Sequence, residues 1–302
     1  MAIAFDRVQK PLRKLRKLLR NLPADPQPEE VHRLRTRSRQ IEAAATALSP
    51  AGEKPVRRLL KSIKPLRQAA GGVRDMDVLS AKAVALAQEP GQDLYRDGLT
   101  CLVEHLQLSR KKSAAELLAV LAQQKKSARH TLKLFAKRLE GTRNSGLAAR
   151  NAEEQVQASA VKLTGELNSW PTLSARNLHN FRLKVKELRS VLQLLSGADH
   201  TLPGDSFIDG SLIDALGTVK DRIGEWHDWQ QLAMAAAEAL DPRQDRALLT
   251  AIKKVAKQKL HEALAAADAL RDQTLQPTAK KPPASERGLP AQAAITSPNQ
   301  AA

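Results

Sequence analysis

The stretch Val31-His32-Arg33-Leu34-Arg35-Thr36-Arg37-Ser38-Arg39 returns 147 residues later as Leu178-His179-Asn180-Phe181-Arg182-Leu183-Lys184-Val185-Lys186. The shared skeleton is His-x-x-Arg-x-x-x-Arg/Lys. A second pair follows in the same order: Leu66-Arg67-Gln68-Ala69-Ala70-Gly71-Gly72-Val73-Arg74-Asp75 matches Val219-Lys220-Asp221-Arg222-Ile223-Gly224-Glu225-Trp226-His227-Asp228, at an offset of 153. Two motifs in one order at nearly one offset indicate a tandem duplication, which restricts the chain to an architecture built twice. Each copy is expected to run helix, turn, His-bearing helix, turn, basic helix, Gly, helix. The expected units are 1–145 and 146–272, meeting at the Gly141–Gly146 turn, with a flexible tail over 273–302 that is rich in Pro, Ala, Ser and Gln.

The element type follows from composition. Ala, Leu, Lys, Arg, Gln and Glu dominate, all good helix formers, and strand-like alternation is absent. Breakers fall at Leu22-Pro23-Ala24-Asp25-Pro26, Ser49-Pro50-Ala51-Gly52, Glu89-Pro90-Gly91, Gly141 to Gly146, Trp170-Pro171, Ser196 to Gly204 and Asp241-Pro242. Amphipathic segments joined by such turns predict an all-α fold of packed bundles. With 302 residues, 42% of them hydrophobic, the chain buries a substantial core. Its single cysteine, Cys101, excludes a disulfide framework and reads as a core residue rather than a nucleophile. No apolar run approaches a membrane span, and Met1 to Asp6 lack a signal-peptide stretch, so a cytoplasmic protein without membrane insertion is expected. The net charge of +17 calls for a polyanionic partner.

Helical-wheel geometry locates that charge. At about 100° per residue, Val31, Leu34, Ile41, Ala45 and Leu48 share an apolar arc, and Leu178, Phe181, Leu188, Leu192 and Leu195 occupy the same arc in the second copy. His32, Arg35 and Arg39 form a stripe at the edge of the first arc. His179, Arg182 and Lys186 repeat it, and Arg189 extends it. Arg33, Arg37 and Lys184 point elsewhere and read as solvated. Like charges at this spacing repel along an isolated helix, so acids from another helix or a bound anion must offset them.

These features resemble the CHAD family, the conserved histidine α-helical domain. The resemblance rests on His32-x-x-Arg35-x-x-x-Arg39, His179-x-x-Arg182-x-x-x-Lys186-x-x-Arg189, Gly71-x-x-Arg74-Asp75-x-Asp77-Val78-Leu79, and Leu212-x-x-x-Leu216 through Gly224-x-x-His227-Asp228, across about residues 1–270. It implies two helical bundles related by a pseudo-twofold, with basic residues lining a central cleft or channel. It also implies binding of inorganic polyphosphate and, in bacteria, association with polyphosphate granules.

The residue chemistry suits such a ligand. Polyphosphate is an unbranched polyanion without bases, so a receptor needs charge-assisted donors at regular spacing. Arg grips two oxygens with a planar fork, and Lys adds a mobile point charge. Donors at i, i+3/i+4, i+7 form one rail, rising about 5.4 Å per turn. Further candidates for the same role are Arg16 and Arg20, which flank the Leu12, Leu15, Leu19 and Leu22 face, then Lys61, Lys64, Arg67 and Arg74, and in the second copy Lys220 and Arg222. Sulfate or phosphate is expected to occupy the same positions. A further run, Lys126, Arg129, Lys133 and Lys137, reads as a solvated face or a secondary anion surface.

The sequence has no phosphate-binding loop of the Gly-x-x-x-x-Gly-Lys-Ser/Thr type, no nucleophile elbow and no zinc-type Cys/His spacing. Asp75 and Asp228 read as partners of nearby Arg or as helix caps rather than as metal ligands. A binding protein without catalytic residues, metal or cofactor is the expectation. Two alternatives stand. One is nucleic-acid binding, disfavoured because only 3% of residues are aromatic and no base-reading helix is evident. The other is polyphosphate processing with His32 or His179 as nucleophile.

Overall fold

The computed structural model describes residues 5–49, 52–88, 95–195, 201–202, 206–207 and 210–272. Within them lie α1 (Phe5–Asn21), α2 (Pro28–Ala47), α3 (Lys54–Ala87), α4 (Arg96–Asn144), α5 (Gly146–Asn168), α6 (Leu178–Leu195), α7 (Gly210–Ala239) and α8 (Arg246–Leu270), plus a two-residue antiparallel pair, β1 (Thr201–Leu202) with β2 (Ser206–Phe207). The chain is all-α. The expected tail and the Glu89-Pro90-Gly91 break lie outside the described residues.

Helix boundaries follow local chemistry. α2 opens on a capping box: the Gln27 backbone N–H donates to the Glu30 carboxylate at 3.0 Å, and Pro28 occupies the first helical position. At the α4–α5 junction, the Ser145 hydroxyl accepts from the Ala148 N–H at 3.4 Å. Before α6, the Asn177 side chain accepts from the Ser174 N–H and donates to the Thr172 carbonyl, both at 2.9 Å, which orients the helix that carries His179.

Glycine does not punctuate the helices as the sequence reading expected. α3 runs 34 residues through Gly71-Gly72, α7 runs 30 through Gly224, and α4 carries Gly141 before ending at Asn144. In α3 the apolar face persists on both sides of the glycines, through Ile63, Leu66 and Ala70 and then Val73, Leu79 and Ala83, so burial outweighs the roughly 1 kcal/mol cost of each glycine. Cys101 corrects a second expectation: it is exposed on α4, its thiol 3.6 Å from the Ala239 carbonyl.

α3 packs most extensively on α4, and α7 on α8. These two hairpins meet at one end through Leu79, Ala83, Leu86, Leu99, Leu102 and Leu106 against Leu232, Ala236, Leu240, Leu248, Leu249 and Ile252. Contact there is close: a Cβ on Gly98 would lie 2.5 Å from Asp245 Oδ1. The larger core runs from α1 to α8 and contains both expected apolar arcs, with Val31, Leu34, Ile41 and Ala45 at 0% exposure and Phe181 and Leu188 likewise. Both core clusters draw residues from before and after residue 145. α2 meets α6, and α3 meets α7, between them.

Candidate functional site

Those two contacts bring basic residues from both motif copies together. Arg35 and Arg39 on α2 face Arg182 and Lys186 on α6, with Lys220 of α7 beside Lys186. Their electrostatics record the crowding. Burial, then repulsion from Arg35, Arg67 and Arg182, lowers the Arg39 guanidinium to about 10. Burial, then repulsion from Arg182, Arg39, Arg35 and Lys220, brings the Lys186 ammonium to about 6. Arg182 is also pulled below its ordinary value, by burial first, although Asp228 pulls the other way.

Arg35 and Arg182 each lie over a glycine of the helix that follows their own. A Cβ on Gly71 would sit 3.6 Å from Arg35 Nε, and one on Gly224 would sit 2.5 Å from Arg182 Nη2. Arg182 Nε donates to the Lys220 carbonyl at 3.1 Å, and Arg189 Nε to the Ile213 carbonyl at 3.2 Å, the latter across Gly217. Absence of a side chain at 224 is therefore what lets the Arg182 guanidinium settle against helix backbone. Gly71→Ala meets only ordinary contact and should raise the melting temperature by about 2–4 °C, the return on about 1 kcal/mol of helix propensity. Gly224→Ala should displace the Arg182 guanidinium instead, read as loss of the hydrogen-bonded Nε–H signal of Arg182 in an NMR spectrum. An unchanged Arg182 signal would refute the assigned role of Gly224.

His179 turns toward His227 of α7, ring centroids 4.9 Å apart. Burial and the neighbouring cations keep both imidazoles neutral near pH 7: His179 is lowered, and His227 falls to about 4. Acids enter from α3 and α7. Asp75 Oδ1 lies 4.0 Å from Arg35 Nη2 and stands among Arg74, Arg182 and Lys186. Asp228 interacts with Lys82 and Arg182. Lys82 in turn bridges α3 to α7, 2.9 Å from Glu225 and 5.2 Å from the Trp229 ring centre. The Arg35 side chain is 30% exposed and Asp75 61%, so the cluster is reached from solvent.

Other expected site residues lie at its margin or apart from it. Arg67 is paired with Glu42 at 2.6 Å, and Lys64 lies near the same carboxylate, whose proton affinity burial raises. Lys220 is also paired with Asp221 at 2.6 Å, and Arg222 with Glu262 of α8 at 3.3 Å. His32 is exposed, and its hydrogen-bond contact among the described residues is Thr36, 3.5 Å away on its own helix, whereas His179 meets His227. Lys61 and Arg20 are exposed and Arg16 is half-buried, and among the described residues none of the three enters an ion pair. Lys184 is held by Glu166 at 2.7 Å and Arg33 by the Glu29 carbonyl at 3.1 Å, both off the cluster. His227 is the residue that the stripe arithmetic did not select. Its signal was its position opposite Arg74 in the second motif pair. Among the described residues no group of three or more His, Cys, Asp or Glu could hold a metal ion, and no helix is long and apolar enough to cross a membrane.

An all-α chain with cations from two helices meeting between a pair of hairpins defines a basic helical scaffold. The CHAD domain family profile matches residues 6–237, and the chain belongs to that family. Among solved structures it is similar to the CHAD domain of the plant Ricinus communis, at 17% identity, with 88% of each chain covered and a TM-score of 0.51. That likeness concerns the fold. No curated protein matches.

Proposed function

We propose that this protein binds inorganic polyphosphate through Arg35, Arg39, Arg182 and Lys186, with Arg74, Lys220, His179 and His227 around them, and that its activity is binding rather than catalysis. The supporting observation is the meeting of four basic residues from α2 and α6, where burial first and repulsion from Arg182, Arg39, Arg35 and Lys220 second bring Lys186 to about 6, even with Asp75 and Asp228 nearby. A multivalent anion relieves that repulsion at several positions at once, which one carboxylate cannot do. The ligand lacks rings, and none of these residues offers an aromatic stacking platform other than imidazole. In this reading the tandem motifs supply the two rails, and the protein associates with polyphosphate-rich bodies in the cell, as its family suggests.

The test is a competition series. Affinity for long-chain polyphosphate should rise with chain length and fall steeply with salt. At moderate salt, duplex DNA should displace polyphosphate poorly. Equal or better displacement by DNA would move the assignment to nucleic acid, and release of orthophosphate that is lost in His179→Ala would move it to an enzyme.

A further inference from the structure

A second basic site lies on the other side of α2. α1, α2 and α6 border a cavity of about 370 Å³ that is open to solvent. Lys10 and Lys14 of α1, Arg37 of α2 and Arg7 line it, with Gln40 and Ser190 as neutral hydrogen-bonding groups. Its floor is Pro11, Ala44 and Leu194, and no carboxylate lines it. α1 carries seven Lys and Arg against the single acid Asp6, and Asp6 turns toward Arg143 of α4 at 3.5 Å. Lys10 and Lys14 form no ion pair among the described residues.

The cavity is also shaped. Arg7 Nη1 donates to the Gln193 carbonyl of α6 at 2.7 Å, tying α1 to α6 along one edge. Arg37 Nη1 donates to Gln40 Oε1 at 2.8 Å, which steers its guanidinium along the wall. Ser190 Oγ donates to the Lys186 carbonyl at 2.8 Å, so its one hydroxyl proton is engaged and it meets a bound anion through a bridging water, from which its lone pairs accept. Arg37, expected in solvent from its wheel position, is half-buried and faces this cavity. The signal was present in α1, where Arg7, Lys10 and Lys14 follow the i, i+3, i+7 rule on a face separate from Arg13, Arg16 and Arg20.

We propose that this cavity is a second anion site, which takes a short condensed phosphate of about tripolyphosphate size. Several donors surround a space larger than one phosphate, which suits a compact anion with more than one phosphoryl group. No aromatic side chain is present to stack a base or a sugar face, and the apolar floor is too small for a lipid chain. The same chemistry has two sources: a free oligophosphate, or a segment of a long chain that also occupies the central cluster. The site stands on the cavity itself and does not require the central assignment.

Calorimetry with tripolyphosphate tests it on the full chain. The triple variant Lys10→Gln, Lys14→Gln, Arg37→Gln changes only side chains that solvent reaches and leaves Arg7 in place. Wild-type protein should show a binding event that this variant weakens at least about tenfold, while Arg35→Ala with Arg182→Ala retains it. In unsubstituted protein, tripolyphosphate should also protect Lys10 and Lys14 from amine labelling relative to Lys126 and Lys133. Long-chain polyphosphate then separates the sources: weaker long-chain binding by the triple variant means that one chain spans both sites, and unchanged long-chain binding means a separate oligophosphate site. Unchanged tripolyphosphate binding by the triple variant, together with unprotected Lys10 and Lys14, overturns the proposal without touching the central one.

Discussion

Replacing Arg35 and Arg182 together by alanine should weaken long-chain polyphosphate binding about a hundredfold, whereas Arg33→Ala with Lys126→Ala should change it by no more than about threefold. Both variants remove two positive charges, so net charge cannot explain a difference between them. Arg182 sits over Gly224 with its Nε–H on the Lys220 carbonyl, and Arg35 sits over Gly71 beside Asp75, so both guanidinium groups are placed near Lys186. A charge-assisted hydrogen bond from such a group contributes about 1.5–3 kcal/mol, and losing two amounts to at least about 3 kcal/mol, or roughly two decades in Kd. Arg33 and Lys126 are exposed, and their long-range attraction is screened within about 10 Å at 0.1 M salt. Helicity and melting temperature serve as the control for folding. Equal losses in both variants would show that diffuse charge, and not this arrangement, holds the ligand.

Binding should also take up protons, and affinity for long chains should fall by up to about tenfold per unit between pH 8 and 9.5. In the free protein Lys186 titrates at about 6, because it is buried and faces Arg182 on its own helix, Arg35 and Arg39 on α2, and Lys220 on α7; Asp75 of α3 is the acid nearby. It is therefore neutral across that window. Bound phosphates supply the missing counter-charge and return it toward the ordinary lysine range, so the complex carries a proton that the free protein lacks. A proton held only in the complex makes acid favour binding and alkali oppose it. Above pH 8 His179 and His227 are deprotonated in the free protein, both being lowered from the ordinary imidazole value. Lys186→Met should flatten the profile in this window and bind more weakly below it. A flat wild-type profile between pH 8 and 9.5 would mean that Lys186 does not change its protonation on binding.

Much of this arrangement was legible before any coordinates, for a specific reason. A helix preserves angle, so wheel positions of Arg35, Arg39, Arg182 and Lys186 relative to their apolar arcs survive folding, and the four residues meet where the arcs predicted an edge. Breakers at Pro23, Pro171 and Pro242 likewise ended helices, because a proline or its preceding residue resists helical geometry. What the sequence concealed depends on the distance between helices. Gly71 and Gly224 looked like breaks because local propensity disfavours glycine in a helix, yet tertiary packing carries α3 and α7 through both, and Gly224 seats Arg182. His32 matched His179 by motif, but among the described residues its polar contact is Thr36 on its own helix, and His179 meets His227 across α6 and α7. Arg67, Lys220 and Arg222 read as free cations because their acids, Glu42, Asp221 and Glu262, lie on other helices or off the counted stripe.

The two interleaved cores bear on how the molecule could be divided. The α4–α5 junction at Ser145 is the natural place to cut by motif count, yet Leu79 to Leu106 close one core only with Leu232 to Ile252, and the other runs from Phe5 to Leu270. A gene fragment that stops there would encode part of two interiors and the whole of neither. Duplication of motifs therefore does not confer autonomy on the halves, and any attempt to transplant a single copy as a minimal binder must carry its complement with it.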